Sequence, residues 1–166
     1  MKWITREKVK VDRVACPWVI RNFIDPQAEF LFLPRDTDWS KIDNGIVFDV
    51  PDCELGHNGE DVSFNSILKK YRLSDPALFL LGEIVRAADS HPRNPHPAGK
   101  GLRWIAHGFT GLGWTDHQIL EREFIVYDAL YGECKRQVTI SAKVSTRMAF
   151  SETKMFSIFE LASTVR

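Results

Sequence analysis

No stretch of this sequence approaches the roughly 18–20 consecutive apolar residues that a membrane-spanning helix needs, so no membrane partner is expected. The first ten residues, Met1 to Lys10, carry charges throughout and no apolar centre, which argues against a secretory leader. Cysteine is scarce. Cys16, Cys53 and Cys134 are 3 in number, far apart and without Cys-x-x-Cys spacing. Neither a disulfide framework nor a thiolate zinc knuckle fits that pattern. It suits thiols buried as small hydrophobes in a reducing, cytoplasmic setting. A surplus of either charge is also missing, because 22 Lys and Arg balance 22 Asp and Glu. Without excess cations a chain is poorly equipped to displace counterions from duplex nucleic acid, so direct DNA binding is not expected. There is no Gly-x-Gly-x-x-Gly, Walker or Gly-x-Ser-x-Gly pattern, which leaves nucleotide binding and a hydrolase serine without support.

What is present suits one compact domain: 166 residues, 44% hydrophobic and 27% charged. Lys2 to Val11 alternates as a half-buried strand does, and Val14 to Ile24 carries apolar residues at helical spacing, with Pro17 in its first turn. The apolar runs Glu29–Leu33 and Ile46–Val50 read as buried strands. Pro51 to Val62 is a polar loop, Ser63 caps a short helix to Tyr71, and Ser74-Asp75-Pro76 opens a longer helix to Asp89. A connection rich in Pro, Gly and Asn, too polar to pack, runs from Ser90 to Gly101. A helix over Leu102–Leu112 follows it, then a helix of about 20 residues from Thr115 to Lys135. The expected class is α+β and mostly helical, a small sheet of about three strands with four to five helices packed against it. Residues 1–136 form the domain. Residues 137–166, rich in Ser, Thr and Lys, read as a variable tail or an oligomerising arm that would support a homodimer.

Chemistry is concentrated in a few places. On the last helix Ile119, Leu120, Phe124, Val126, Tyr127, Leu130, Tyr131 and Cys134 make one broad stripe, with Glu123 in its middle. A carboxylate on a core-facing stripe is costly unless it meets a cation, donors or a metal. Arg13 or Arg21 could supply the cation; a functional site is the other reading. Asp89 ends its helix where the macrodipole disfavours a negative charge, so a further group should stabilise it. In the loop Glu54-Leu55-Gly56-His57-Asn58-Gly59, the Glu-x-x-His spacing and flanking glycines let both side chains turn toward one zinc-like or iron-like cation. The candidate ligands are therefore His57, Glu54, Asp89 and Glu123 around a divalent zinc, iron or manganese. Asp12, Arg13, Arg21, Tyr127 and Asp128 are candidates for supporting the ligands or for binding an anion. Cys16, beside Pro17 and Trp18, reads as packed and inert. His91 and His96 read as solvated, His107 as a core residue and His117 as a helix cap, while Trp18, Phe23, Trp104 and Trp114 read as core.

Three blocks, KWITREKVKVDRVACPWVIRNFIDPQAEFLFLPR, FDVPDCELGHNGEDVSF and LEREFIVYDALY, agree in order and spacing with one family. Over residues 2–136 the chain resembles the chromate resistance protein family, the C-terminal domain of ChrB-type chromate-responsive regulators. Relatives of that domain occur alone or fused to rhodanese-like sulfurtransferases. In the full regulators DNA binding lies in an N-terminal portion, so the resemblance implies no transcription-factor role for this stretch. It implies a cytoplasmic domain tied to chromate resistance that senses chromate or handles a metal, and the site residues suggest an oxyanion as what that metal would meet. It assigns no reaction, and whether the domain is an enzyme stays open. Two readings follow: a metal-binding domain whose partner is a small oxyanion, or a non-catalytic sensor or interaction module without metal.

Overall fold

Trp3, Ile4 and Thr5 form the middle of the first strand, and all three are buried. That continuous burial is the mark of a strand covered on both faces. In the computed structural model, which describes the backbone of residues 1–90 and 92–163 and the side chains of 1–90 and 92–145, this strand is β1 (Lys2–Arg6). It lies between β2 (Glu29–Leu33) and β3 (Ile46–Val47), in the order β2-β1-β3. Both neighbours run parallel to it, Lys2 facing Glu29 and Arg6 facing Leu33 on one side, and Trp3 facing Ile46 on the other. Parallel neighbours need a crossover, which α1 (Val11–Phe23) supplies between β1 and β2. Four more helices follow, α2 (Ser63–Lys70), α3 (Pro76–Asp89), α4 (Pro97–Thr110) and α5 (Asp116–Ser163). The expected mostly helical α+β class is the one observed.

The strand read as far as Val11 stops at Arg6, and α1 begins at Val11 rather than Val14. Lys8 turns the chain by taking a left-handed backbone (φ 58°). Asp116, at the start of α5, then accepts from the Lys8 and Val9 amides at 3.0 and 2.8 Å. With the earlier start, Pro17 falls inside α1, where it offers no N–H to the Arg13 carbonyl. Trp18 ties α1 to α5: its ring packs on Phe23, Tyr127 and Tyr131, and its Nε1 donates to Asp128 at 2.8 Å. α3 starts as its Asp-Pro signal predicts, with Asp75 accepting from Ala77 N at 2.8 Å.

The second half of the chain departs from expectation in several places. α4 begins at Pro97, inside the connection read as too polar to pack, with His96 Nδ1 accepting from Ala98 N. Gly99 makes this possible, since a Cβ there would stand 2.5 Å from the Ala87 Cβ, and only glycine lets α4 approach α3 so closely. α4 buries a narrow stripe of Gly99, Leu102 and Ala106. Trp104, expected in the core, is therefore 73% exposed, and Trp114 lies at the surface beneath the Arg122 guanidinium. His107 is likewise exposed, and His91 lies outside the described residues. His117 does not cap a helix; its Nε2 meets the Phe30 carbonyl at 3.0 Å. Thr115 and Gln118 cap each other at the start of α5, which does not end near Lys135 but runs on to Ser163.

Candidate functional site

Parallel strands end on the same side of a sheet, and ligands of such sheets bind beyond those ends. A charged residue stands there after every strand: Arg6 closes β1, Arg35 follows β2 and Asp49 follows β3. Asp49 has a left-handed backbone (φ 49°) and hydrogen-bonds its amide to the Leu55 carbonyl, which bends the chain back toward α1. Asp12 reaches the same place from the first turn of α1, His57 from the loop before α2, and Asp89 from the last turn of α3.

Asp12 is the anchor. It is 1% exposed, and its carboxylate accepts from Ser63 N at 2.6 Å and Phe64 N at 3.0 Å. These are the free amides at the N-terminus of α2, so Asp12 caps that helix from another element. Ser63, expected as the cap, is instead the first helical residue, and its hydroxyl donates to Asp49 Oδ1 at 2.7 Å. His57 Nε2 stands 3.4 Å from Asp12 Oδ2, 3.5 Å from Asp49 Oδ1 and 3.4 Å from Asp89 Oδ2. One atom each from Asp12, His57 and Asp89 lie within 4.8 Å of one another. Asp49 Oδ2 is held by Arg13 at 3.1 Å.

The electrostatics follow from this crowding. The crowding carboxylates of Asp12, then Asp49 and Asp89, push the His57 imidazole up to about 12. Burial pushes Asp12 up to about 6 against the pull of the neighbouring His57. Cys16 Sγ lies 3.5 Å from Asp12 Oδ1, and burial drives its thiol well above the ordinary range, which keeps it protonated and inert. Tyr127 donates to the Val11 carbonyl at 2.8 Å and so fixes the start of α1, next to Asp12.

The family profile for the ChrB C-terminal domain matches residues 3–134. The chain belongs to that family. Protein ChrB of Cupriavidus metallidurans is 34% identical to it over 131 residues, covering 78% of this chain and 40% of that protein. The chain thus spans about two-fifths of the length of that curated relative. No solved structure matches it.

Of the four ligand candidates read from the sequence of this ChrB-type domain, His57 and Asp89 converge, and Asp12 joins them. His57 stands 3.4 Å from Asp89 and, when protonated, can supply the charge missing beside it. Glu54 is turned to the surface, paired with Lys70. Its neighbour Gly56 faces the Val50 and Cys53 carbonyls, in a turn that presents His57 inward and Glu54 outward. Glu123 is fully buried, as the stripe requires, but stands outside the cluster, and neither carboxylate oxygen has a hydrogen-bond partner among the described residues. Burial alone pushes it up to about 7. Neither candidate arginine meets it, since Arg13 serves Asp49 and Arg21 lies over the Phe30 and Phe124 rings. Asp128 binds Trp18 rather than the cluster. Asp49 and Arg6 went unread. The one sequence signal for Asp49 was a carboxylate directly after the apolar run Ile46-Val47-Phe48.

Proposed function

We propose that this domain binds one divalent transition metal (zinc, iron or manganese) through His57 Nε2, Asp12 Oδ2 and Asp89 Oδ2, and that the loaded centre handles an oxyanion. The observation that carries this reading is the spacing around His57 Nε2. Carboxylate oxygens at 3.4, 3.5 and 3.4 Å are too distant for good hydrogen bonds, and one N–H can serve only one of them well. Ligands bound at roughly 2.0–2.1 Å around a tetrahedral metal are separated by about 3.4 Å. Imidazole with two carboxylates suits zinc, iron or manganese. Asp49 would orient His57 and hold Arg13, whose planar fork matches a tetrahedral oxyanion. A dianion entering a site of carboxylates needs a metal to invert the local charge. Membership of the ChrB family supports a link to chromate resistance. Free cysteines, with Cys16 and Cys134 buried, support a reducing cytoplasmic setting.

The test is elemental analysis of the full chain after incubation with zinc, iron or manganese and desalting. About one equivalent is expected, lost in His57→Ala and Asp89→Asn and kept in Glu54→Gln. Less than about a tenth of an equivalent for every metal would remove the reading. A second reading is favoured by the three carboxylates that crowd His57 Nε2, which raise its affinity for a proton until the imidazolium is itself their counter-cation. On that reading the domain is a metal-free sensor. Nitrogen NMR of metal-treated protein at pH 8 would show His57 carrying both ring protons.

A further inference from the structure

The centre opens into a cleft of about 420 Å³ bounded by Arg6, Lys10 and Arg13 as well as by Asp49, His57 and Asp89. A second cleft of about 340 Å³ shares those three cations and adds Lys8 and Arg35, with Glu7 as its one acid. Both volumes lie within the roughly 300–1,000 Å³ of small-molecule sites, more than a bare tetraoxyanion fills. Among the described residues Lys69, Lys70, Arg86 and Arg136 are each paired with a carboxylate, whereas scattered surface cations such as Lys2, Arg72 and Lys100 are not. Arg6, Lys8, Lys10 and Arg35 form no ion pair among the described residues, and Arg13 Nε finds no acceptor there.

These cations are held together against their mutual repulsion. Arg6 sits within the field of Arg13 and Arg35, and burial, then those two charges, lower its affinity for its proton, with Asp49 and Asp89 offsetting only part of the effect. The loop that carries Lys8 and Lys10 is pinned by Asp116 through the Lys8 and Val9 amides. Lys8 keeps a left-handed backbone, a conformation that L-residues adopt at a cost and that recurs at ligand sites. An anion in the groove would relieve the repulsion and use donors already in place.

We propose that the two clefts form one subsite for a small organic polyanion, a molecule with two or more linked phosphate-type groups that lie on the cations and an uncharged organic end that reaches the Asp12–His57–Asp89 centre. The inference rests on the metal-centre reading only for what meets that end. The groove favours a short ligand over a nucleic acid, because Asp49, Asp52 and Asp89 close the positive run at the centre. A longer phosphate backbone following the groove would be repelled there.

The experiment is calorimetric titration of the full chain, stripped of metal and then freed of chelator, with inorganic tripolyphosphate, orthophosphate and a twelve-nucleotide single strand. Tripolyphosphate is expected to bind at least about tenfold tighter than orthophosphate, and Arg6→Gln and the exposed Arg35→Ala each to weaken it about five- to tenfold. Asp89→Asn should abolish metal uptake while keeping or strengthening tripolyphosphate binding, because it removes a repelling charge from the cleft wall, so the groove and the metal centre fail separately. Equal affinity for tripolyphosphate and orthophosphate, or no effect of Arg35→Ala, would overturn the subsite. Tighter binding of the oligonucleotide than of tripolyphosphate would overturn the small-ligand assignment.

Discussion

Glutamine at position 123 keeps the shape of a side chain that is fully buried and removes its ionisable proton. Burial lifts Glu123 from an ordinary 4.5 to about 7, with no cation opposing the rise. The folded chain therefore holds a proton that the unfolded chain releases. Stability from this group is complete below pH 4.5, drains away between 4.5 and 7, and is flat above. A rise of this size corresponds to about 3 kcal/mol at 1.36 kcal/mol per unit. Glu123→Gln escapes the drain. Urea denaturation of chelator-treated protein, followed by tryptophan fluorescence at pH 4.5 and pH 8, should show the variant gaining up to about 3 kcal/mol on the wild type across that interval. Comparing the two proteins at each pH cancels the other titrating groups and the fixed cost of burying an amide. A gain under about 0.5 kcal/mol would refute the isolated-carboxylate reasoning. A loss at pH 8 seen only in metal-loaded protein would return Glu123 to the metal centre.

Asp12→Asn leaves one good acceptor for the two amides of α2 and should cost about 1–3 kcal/mol in urea denaturation, whereas Asp89→Asn, partly exposed, should cost under about 1 kcal/mol. Because its carboxylate neighbours hold His57 protonated up to about 12, a metal must displace that proton. Apparent metal affinity should then rise with pH between 6.5 and 8, by up to about tenfold per unit, and titrations in buffers of different ionisation enthalpy should register about one proton released. Affinity independent of pH would mean that His57 is not a ligand. Gly99→Ala places a Cβ against Ala87 and should destabilise by more than about 2 kcal/mol, which a thermal melt would detect.

Much of the fold was legible because its signals are local. Glu29-Phe30-Leu31-Phe32-Leu33 is an apolar run stopped by proline, and Asp75-Pro76 is a cap followed by its preferred first residue; both elements sit where those signals put them. The start of α1 was hidden because Asp12 and Arg13 interrupt the apolar spacing, though Asp12 is as buried as its neighbours. The start of α4 was hidden by glycine, which packs by the absence of a side chain and so leaves no hydrophobic trace. Trp104 misled for the opposite reason, being large and apolar yet outside the narrow stripe that α4 buries. In the site, the burial of Glu123 followed from periodicity. The company of His57 did not, since Asp12 and Asp49 reach it through a parallel register and a turn no spacing rule records.

Asp12 closes the N-terminus of α2 with the same carboxylate that faces His57. A lineage in which the chemistry had lapsed would still be selected to keep that aspartate, because losing it uncaps a helix. Its retention among relatives would thus report on folding as much as on function. Asp89 stands on the open side of the cluster, and among the described residues no hydrogen bond to a helix terminus holds its carboxylate in place. Variation there would be nearly free of structural penalty, so whether descendants keep or discard Asp89 is the more telling record of which of them still use the site.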